Sequence, residues 1–176
     1  MKLDLVHDLQ TAFRKTVQAY SFPGTIQDLS KEVALVDEGT GFPPALLLLA
    51  FMLLDGETTF AVAGTLKEAG EKIISRLTYA KSANMENADY IFVPDTDFEA
   101  AEAIDAAKEG TLIDPHTAST ILLVSGGFSR TSAATLSGPG IETTVSLDFG
   151  RAGNWIESRK RKNREYPLGV ELMFVT

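Results

Sequence analysis

The chain contains no cysteine, which removes disulfides, thiolate zinc sites, iron–sulfur ligation and cysteine nucleophiles in one step. Histidine is nearly as scarce. His7 and His116 are the two present, so any histidine-dependent acid–base chemistry has to use one of them. Basic residues are outnumbered, 16 against 24 acidic, for a formal net charge of -8. That excess repels nucleic acid and anionic membranes in bulk, so neither is expected as a partner, and a phosphate-bearing partner has to be met by a local basic patch. Long apolar runs are missing too. The most apolar stretch, residues 44–54, is about half of the roughly 20 residues that cross a bilayer. The first ten residues lack the basic end and unbroken apolar run of a secretory signal, and a cytoplasmic protein is expected.

What is present fits one domain over residues 1–176, with 44% apolar and 23% charged positions. Leu5, Leu9, Phe13, Val17 and Tyr20 recur at helical spacing, which lines them on one face before Pro23 and Gly24 end the helix. Pro43 and Pro44 can open a second helix, and the run from Leu46 to Leu54 is apolar on every side, marking it as central. Residues 58–63 and 89–94 are predicted strands. Thr65 with Glu68, and Thr96 with Glu99, have the reciprocal capping pattern of helix starts, the first helix running to Thr78 and the second to Gly110. Strands are then expected at 120–125, 132–136, 142–147 and 169–175, with a helix at 154–163. Strands alternating with helices and then clustering late predict a three-layer α/β sandwich with a mixed sheet.

Four segments share an order along nearly the whole chain. They are Phe13-Arg14 with Ala19-Tyr20-Ser21-Phe22-Pro23-Gly24; Gly110-Thr111-Leu112-Ile113-Asp114-Pro115 leading into 121–124; Leu136-Ser137-Gly138-Pro139-Gly140-Ile141; and Tyr166-Pro167-Leu168-Gly169-Val170-Glu171. Together they resemble the PhnH family of the phosphonate carbon–phosphorus lyase system. The resemblance implies a fold similar to the large domain of pyridoxal-phosphate-dependent transferases with the cofactor site lost, a homodimer, and assembly with lyase core subunits G, I and J. It implies an accessory subunit without a complete active site, supporting formation of ribose 1-phosphonate 5-triphosphate from ATP and a phosphonate with release of adenine. It also implies a further short strand and tail beyond the final strand, and with the sequence running to Thr176 these are expected to be absent. Other readings are an independent small-molecule transferase that binds a nucleotide or phosphonate, and a stand-alone structural dimer.

The lysines bear on the cofactor separately, because pyridoxal phosphate needs one for its Schiff base. Lys15, Lys67, Lys72, Lys108, Lys160 and Lys162 all fall on predicted helices or their last turns, and Lys31 and Lys81 have no favouring pattern, so no cofactor is expected.

No catalytic residue is assigned, but several surfaces are candidates. Gly110, Thr111, Asp114, Pro115, His116 and Thr117 form a polar loop leading into a buried strand, and this is the first choice for a ligand or partner surface. Ser137, Gly138, Pro139 and Gly140 make a rigid turn that either sets backbone against a ligand or partner, or connects a hairpin. Gly126-Gly127 with Arg130 either cradle an anion or join two strands, and Arg130 is expected at the surface. Arg159, Lys160, Arg161, Lys162 and Arg164 are the one dense basic run, a docking place for a triphosphate or an acidic partner, or else a solvated helix end. Trp155 and Ile156 before it supply an apolar anchor for an interface. No ligand cluster for a metal is seen.

Overall fold

The computed structural model describes residues 2–36, 38–151 and 153–176. Its first half runs α1 (His7–Ser21), α2 (Ser30–Val33), α3 (Pro44–Leu53), β1 (Thr59–Val62), α4 (Lys67–Thr78) and β2 (Lys81–Ser82). The second half runs β3 (Tyr90–Val93), α5 (Ala100–Ala106), β4 (Thr120–Val124), β5 (Ser129–Leu136), β6 (Val145–Asp148), α6 (Trp155–Lys162) and β7 (Glu171–Val175).

Five strands form one sheet in the order β2-β1-β3-β4-β7, every pair parallel. The antiparallel pairing is confined to a separate ribbon of β5 and β6. The expected mixture of parallel and antiparallel strands is therefore present, divided between two sheets. A strand with side chains alternating between faces buries both when helices cover both sides. Phe60, Val62, Phe92 and Leu122 pack with α1, α2, α3 and α4 on one face. Ala61, Ile91, Val93, Ile121 and Leu123 pack with α5, α6 and Trp155 on the other. The result is the three-layer arrangement of helices, sheet and helices.

The central helix is α3, whose Leu46, Leu47, Leu48, Leu49 and Ala50 are all buried. Gly70 of α4 lets that layer close. A Cβ there would sit 2.5 Å from the ring of buried Phe42 and 3.1 Å from Val62. Gly70→Ala is thus expected to destabilise by about 1 kcal/mol, because overpacking of ~1–3 kcal/mol outweighs the ~1 kcal/mol that alanine contributes as a better helix former. Comparing urea midpoints of the two proteins checks the sign.

Several boundaries differ from the sequence reading. Thr65 does not cap its helix: its amide and hydroxyl both donate to Asp95, and the N-cap of α4 is Leu66. The α5 helix starts at Ala100 with Glu99 as N-cap, again without a side-chain cap, and ends at Ala106 rather than near Gly110. The strand read as 132–136 begins at Ser129, and that read as 142–147 begins at Val145. In α4 a tertiary partner, Asp95, takes the Thr65 amide that the local pattern assigned to Glu68.

The largest departure is α1. It turns Ala12, with Leu9 beside it, into the core, while Leu5, Phe13, Val17 and Tyr20 of the apolar row stay 44–54% exposed. Small residues allow close approach to α3, and Lys15 anchors the same side through Glu32 Oε1 at 2.8 Å, a carboxylate that is itself buried. Just before the helix, the Asp4 carboxylate accepts from the amides of Val6 and His7 at 2.8 and 3.1 Å. Those bonds, the Val6 amide foremost and then the His7 ring, push its pKa down to about 2. A depressed carboxyl favours the folded arrangement above its unfolded value near 3.8 and loses that contribution as pH falls through about 2. The amide resonances of Val6 and His7 are expected to titrate with a midpoint near 2, and Asp4→Asn to abolish that titration.

Candidate functional site

In an open parallel sheet, neighbouring strands whose connections leave toward opposite faces open a crevice beyond their carboxyl ends. Here β1 lies between β2 and β3, so the strand order reverses at the β1–β3 pair. A cleft of about 640 Å³ opens at that point, lined by Gly64 and Thr65 after β1 and by Pro94, Asp95, Thr96 and Phe98 after β3. It continues toward the end of β2 in a shallower recess that includes Lys67, Asn84, Glu86 and Glu102. Asp95 holds the two sides together, its Oδ2 accepting from Thr65 N at 2.6 Å and Thr65 Oγ1 at 2.9 Å. Gly64 stands where any Cβ would collide with that carboxylate.

The loop after β3 is tied to the end of β4 by Arg151, which is buried. Its guanidinium donates to the carbonyls of Val124, at the end of β4, and of Asp95 and Phe98, at 3.0 and 2.7 Å, in the loop after β3. Burial pushes the guanidinium pKa below its ordinary value, against the carboxylates of Asp95, Asp97 and Glu99, which raise it. The Nε finds no partner among the described residues. Chemically the cleft presents carboxylate oxygens with a single lysine, Lys67, beside them. It is suited to hydroxyl and amino donors, and an unaccompanied phosphate would meet repulsion.

The loop chosen from sequence lies at the opposite end of the sheet, because it leads into β4 rather than out of it. Gly110 approaches the backbone of Pro115 closely, and Thr111 and Asp114 bond each other through Thr111 N–H to the Asp114 carbonyl at 3.2 Å and Asp114 N–H to Thr111 Oγ1 at 2.9 Å. His116 is exposed, as are Leu112 and Ile113 at the tip, at 74% and 89%. Beside this loop, Lys108 pairs with Asp89 at 2.5 Å. Burial raises the Asp89 pKa, but the Lys108 ammonium and the Thr59 hydroxyl and amide outweigh it and leave the carboxyl below its ordinary value.

The turn Ser137–Gly140 packs on the chain's own N-terminal turn. Gly140 meets the Ser21 carbonyl and Pro23, while Gly24 sits against Val145 and Leu136. No hydrogen bond among the described residues joins this turn to the Gly110 loop. The Gly126 amide is likewise taken by backbone, donating to the Gly150 carbonyl at 3.1 Å, while a Cβ at Gly127 would meet nothing within 4 Å and Arg130 is exposed.

Of the basic run, Arg161 holds Asp105 with two bonds of 2.7 Å, Lys162 donates to the Asp105 carbonyl at 3.0 Å, and Lys160 pairs with Glu157 at 2.8 Å. Arg159 and Arg164 are exposed, and no ion pair engages them among the described residues. Trp155 is buried among Phe149 and Phe174 with its Nε1 donating to the Arg151 carbonyl, so it serves the core and not a docking surface.

The sequence reading passed over the cleft residues Gly64, Thr65, Asp95 and Asp97, and Arg151, which bonds the backbone behind them. The signal was available in the rule it used: a Gly-Thr pair and an Asp-Thr-Asp triplet each directly follow a strand. Among the described residues no helix is long and apolar enough to cross a membrane.

Residues 3–176 match the family model described as "Bacterial phosphonate metabolism protein (PhnH)". A protein of Stutzerimonas stutzeri described as "Putative C-P lyase subunit protein HtxG" is 30% identical over 169 residues, covering 95% of this chain and 78% of that one.

Proposed function

Because the chain belongs to the PhnH family of bacterial phosphonate metabolism proteins, we propose that it is an accessory subunit of a carbon–phosphorus lyase. In this reading it supports formation of ribose 1-phosphonate 5-triphosphate from ATP and a phosphonate with release of adenine, in a cytoplasmic complex with core subunits G, I and J. The observation that carries the accessory role is the charge of the cleft. A triphosphate or phosphonate needs clustered donors and cations, whereas this cleft presents Asp95 and Asp97, with Glu86 and Glu102 in the recess, against Lys67. The chain on this reading contributes surface to a site completed by other subunits. The exposed tip of the Gly110 loop, with Leu112 and Ile113, and the unengaged Arg159 and Arg164 are among the surfaces it offers. A symmetric homodimer and a fold shared with pyridoxal-phosphate-dependent transferases, emptied of the cofactor, are part of the same reading.

The test is adenine release from ATP with methylphosphonate, by subunits G, I and J with and without this chain. Release that depends on the chain supports the proposal. Release that is unchanged by its omission, or saturable nucleotide binding by the isolated chain that tracks adenine release, replaces it with an independent enzyme.

A further inference from the structure

Val6, Gln10, Phe13, Val17 and Tyr20 follow one another at steps of four, three, four and three. That is the seam spacing with which one helix packs along another. All five are exposed, Val6 at 70%. Tyr20, at the end of the row, is half-buried and bonds Glu171 of β7, whereas Val6, Gln10, Phe13 and Val17 do not face the protein's own core. Ala12 is buried, and Leu9, Lys15, Thr16 and Ala19 are the half-buried side of the same helix. The helix therefore has two working faces, one made of small residues and a lysine that pack inward, and one that directs Val6, Phe13 and Val17 to solvent around Gln10. A contiguous exposed apolar strip of this kind marks a place for a partner.

Charge decides which partner. Arg14 flanks the seam next to Phe13, is exposed, and has no ion-pair or hydrogen-bond partner among the described residues. On the exposed side between Gln10 and Ser21 it is the one charged side chain, in a protein whose formal net charge is -8. Two copies of the seam paired antiparallel about Phe13 would set Arg14 beside the second copy's Arg14 and match no opposite charge. A parallel pair would place each Arg14 toward Leu9 and Thr16, which are already turned inward. A different helix with a carboxylate opposite Arg14 satisfies both the seam and the charge.

We propose that the outward face of α1, the seam from Val6 to Val17 with Arg14 at its side, docks an acidic amphipathic helix of another carbon–phosphorus lyase subunit. The proposal rests on the lyase assignment for the identity of the partner. Co-purification of this chain with subunits G, I and J tests it, using wild type, the double variant Phe13→Glu with Val17→Glu, Arg14→Glu and Arg14→Lys. The substituted positions are exposed, so each variant is expected to unfold at the wild-type midpoint. Wild type and Arg14→Lys are expected to join the complex, while the double variant and Arg14→Glu lose at least about tenfold in the amount bound. If the double variant joins as well as wild type, the docking face is wrong and the lyase assignment stands. If wild type itself stays free, the lyase assignment fails and takes the named partner with it. If sedimentation shows a wild-type dimer that the double variant splits, the occupant is a second copy and the proposal is overturned.

Discussion

Arg151→Ala is expected to destabilise the protein by about 3–5 kcal/mol, the largest loss among the single substitutions considered. The side chain is buried and satisfies the carbonyls of Val124, Asp95 and Phe98 at once. Truncation leaves those acceptors without a donor, at ~1–3 kcal/mol for each buried group that water cannot reach, and adds a cavity. The costs overlap because all three carbonyls lie around one guanidinium, so they do not simply sum. Arg151→Lys is expected to recover less than half, since an ammonium is a point donor that cannot span the end of β4 and the loop after β3 together. Urea unfolding of the three proteins checks both values. A loss below about 1 kcal/mol for the alanine variant would mean that water reaches the three carbonyls and replaces the guanidinium.

The order of strands and helices was legible because β1, β3, β4 and β7 are short apolar runs bounded by turn residues, and each sits close to its expected place. The pairing was not. The spacing of apolar residues says that a strand is buried, but parallel neighbours are chosen by the helices that carry the chain across, and those crossings are tertiary. Two elements escaped altogether: β2 is two residues long and α2 four, too short for any period to register. On α1 the apolar row is real, yet periodicity reports only that apolar residues share a face. Ala12 and the Lys15–Glu32 pair decide that a different face goes inward. The cleft after β1 and β3 was passed over for a related reason. The polar loop Gly110–Thr117 stood out by its composition, whereas the cleft is defined by which end of the sheet its residues occupy, and composition does not report that. Thr65 illustrates the general point: its capping pattern with Glu68 is a local signal, and Asp95, thirty residues on, outcompetes it.

Gly140→Val is expected to cost about 3 kcal/mol, with Gly41→Val as its control at about 1 kcal/mol. Both glycines have positive φ, +82° and +71°, a region that a β-branched residue enters only under strain. Their surroundings differ. Nothing lies within 4 Å of a Cβ at Gly41, so that substitution reports the backbone conformation alone. At Gly140 the Cβ would overlap the Ser21 carbonyl and come within 2.9 Å of Pro23 Cδ, and backbone on one side and a proline ring on the other leave little to move aside. The difference between the two variants therefore measures the packing of the 137–140 turn on the turn that ends α1. Thermal unfolding under identical conditions gives it directly. A difference near zero would show that the two turns separate at little cost. A difference of about 2 kcal/mol would establish their contact as the joint that fixes the β5–β6 ribbon to the end of α1, because Gly24 of that same turn packs on Leu136 and Val145 of the ribbon.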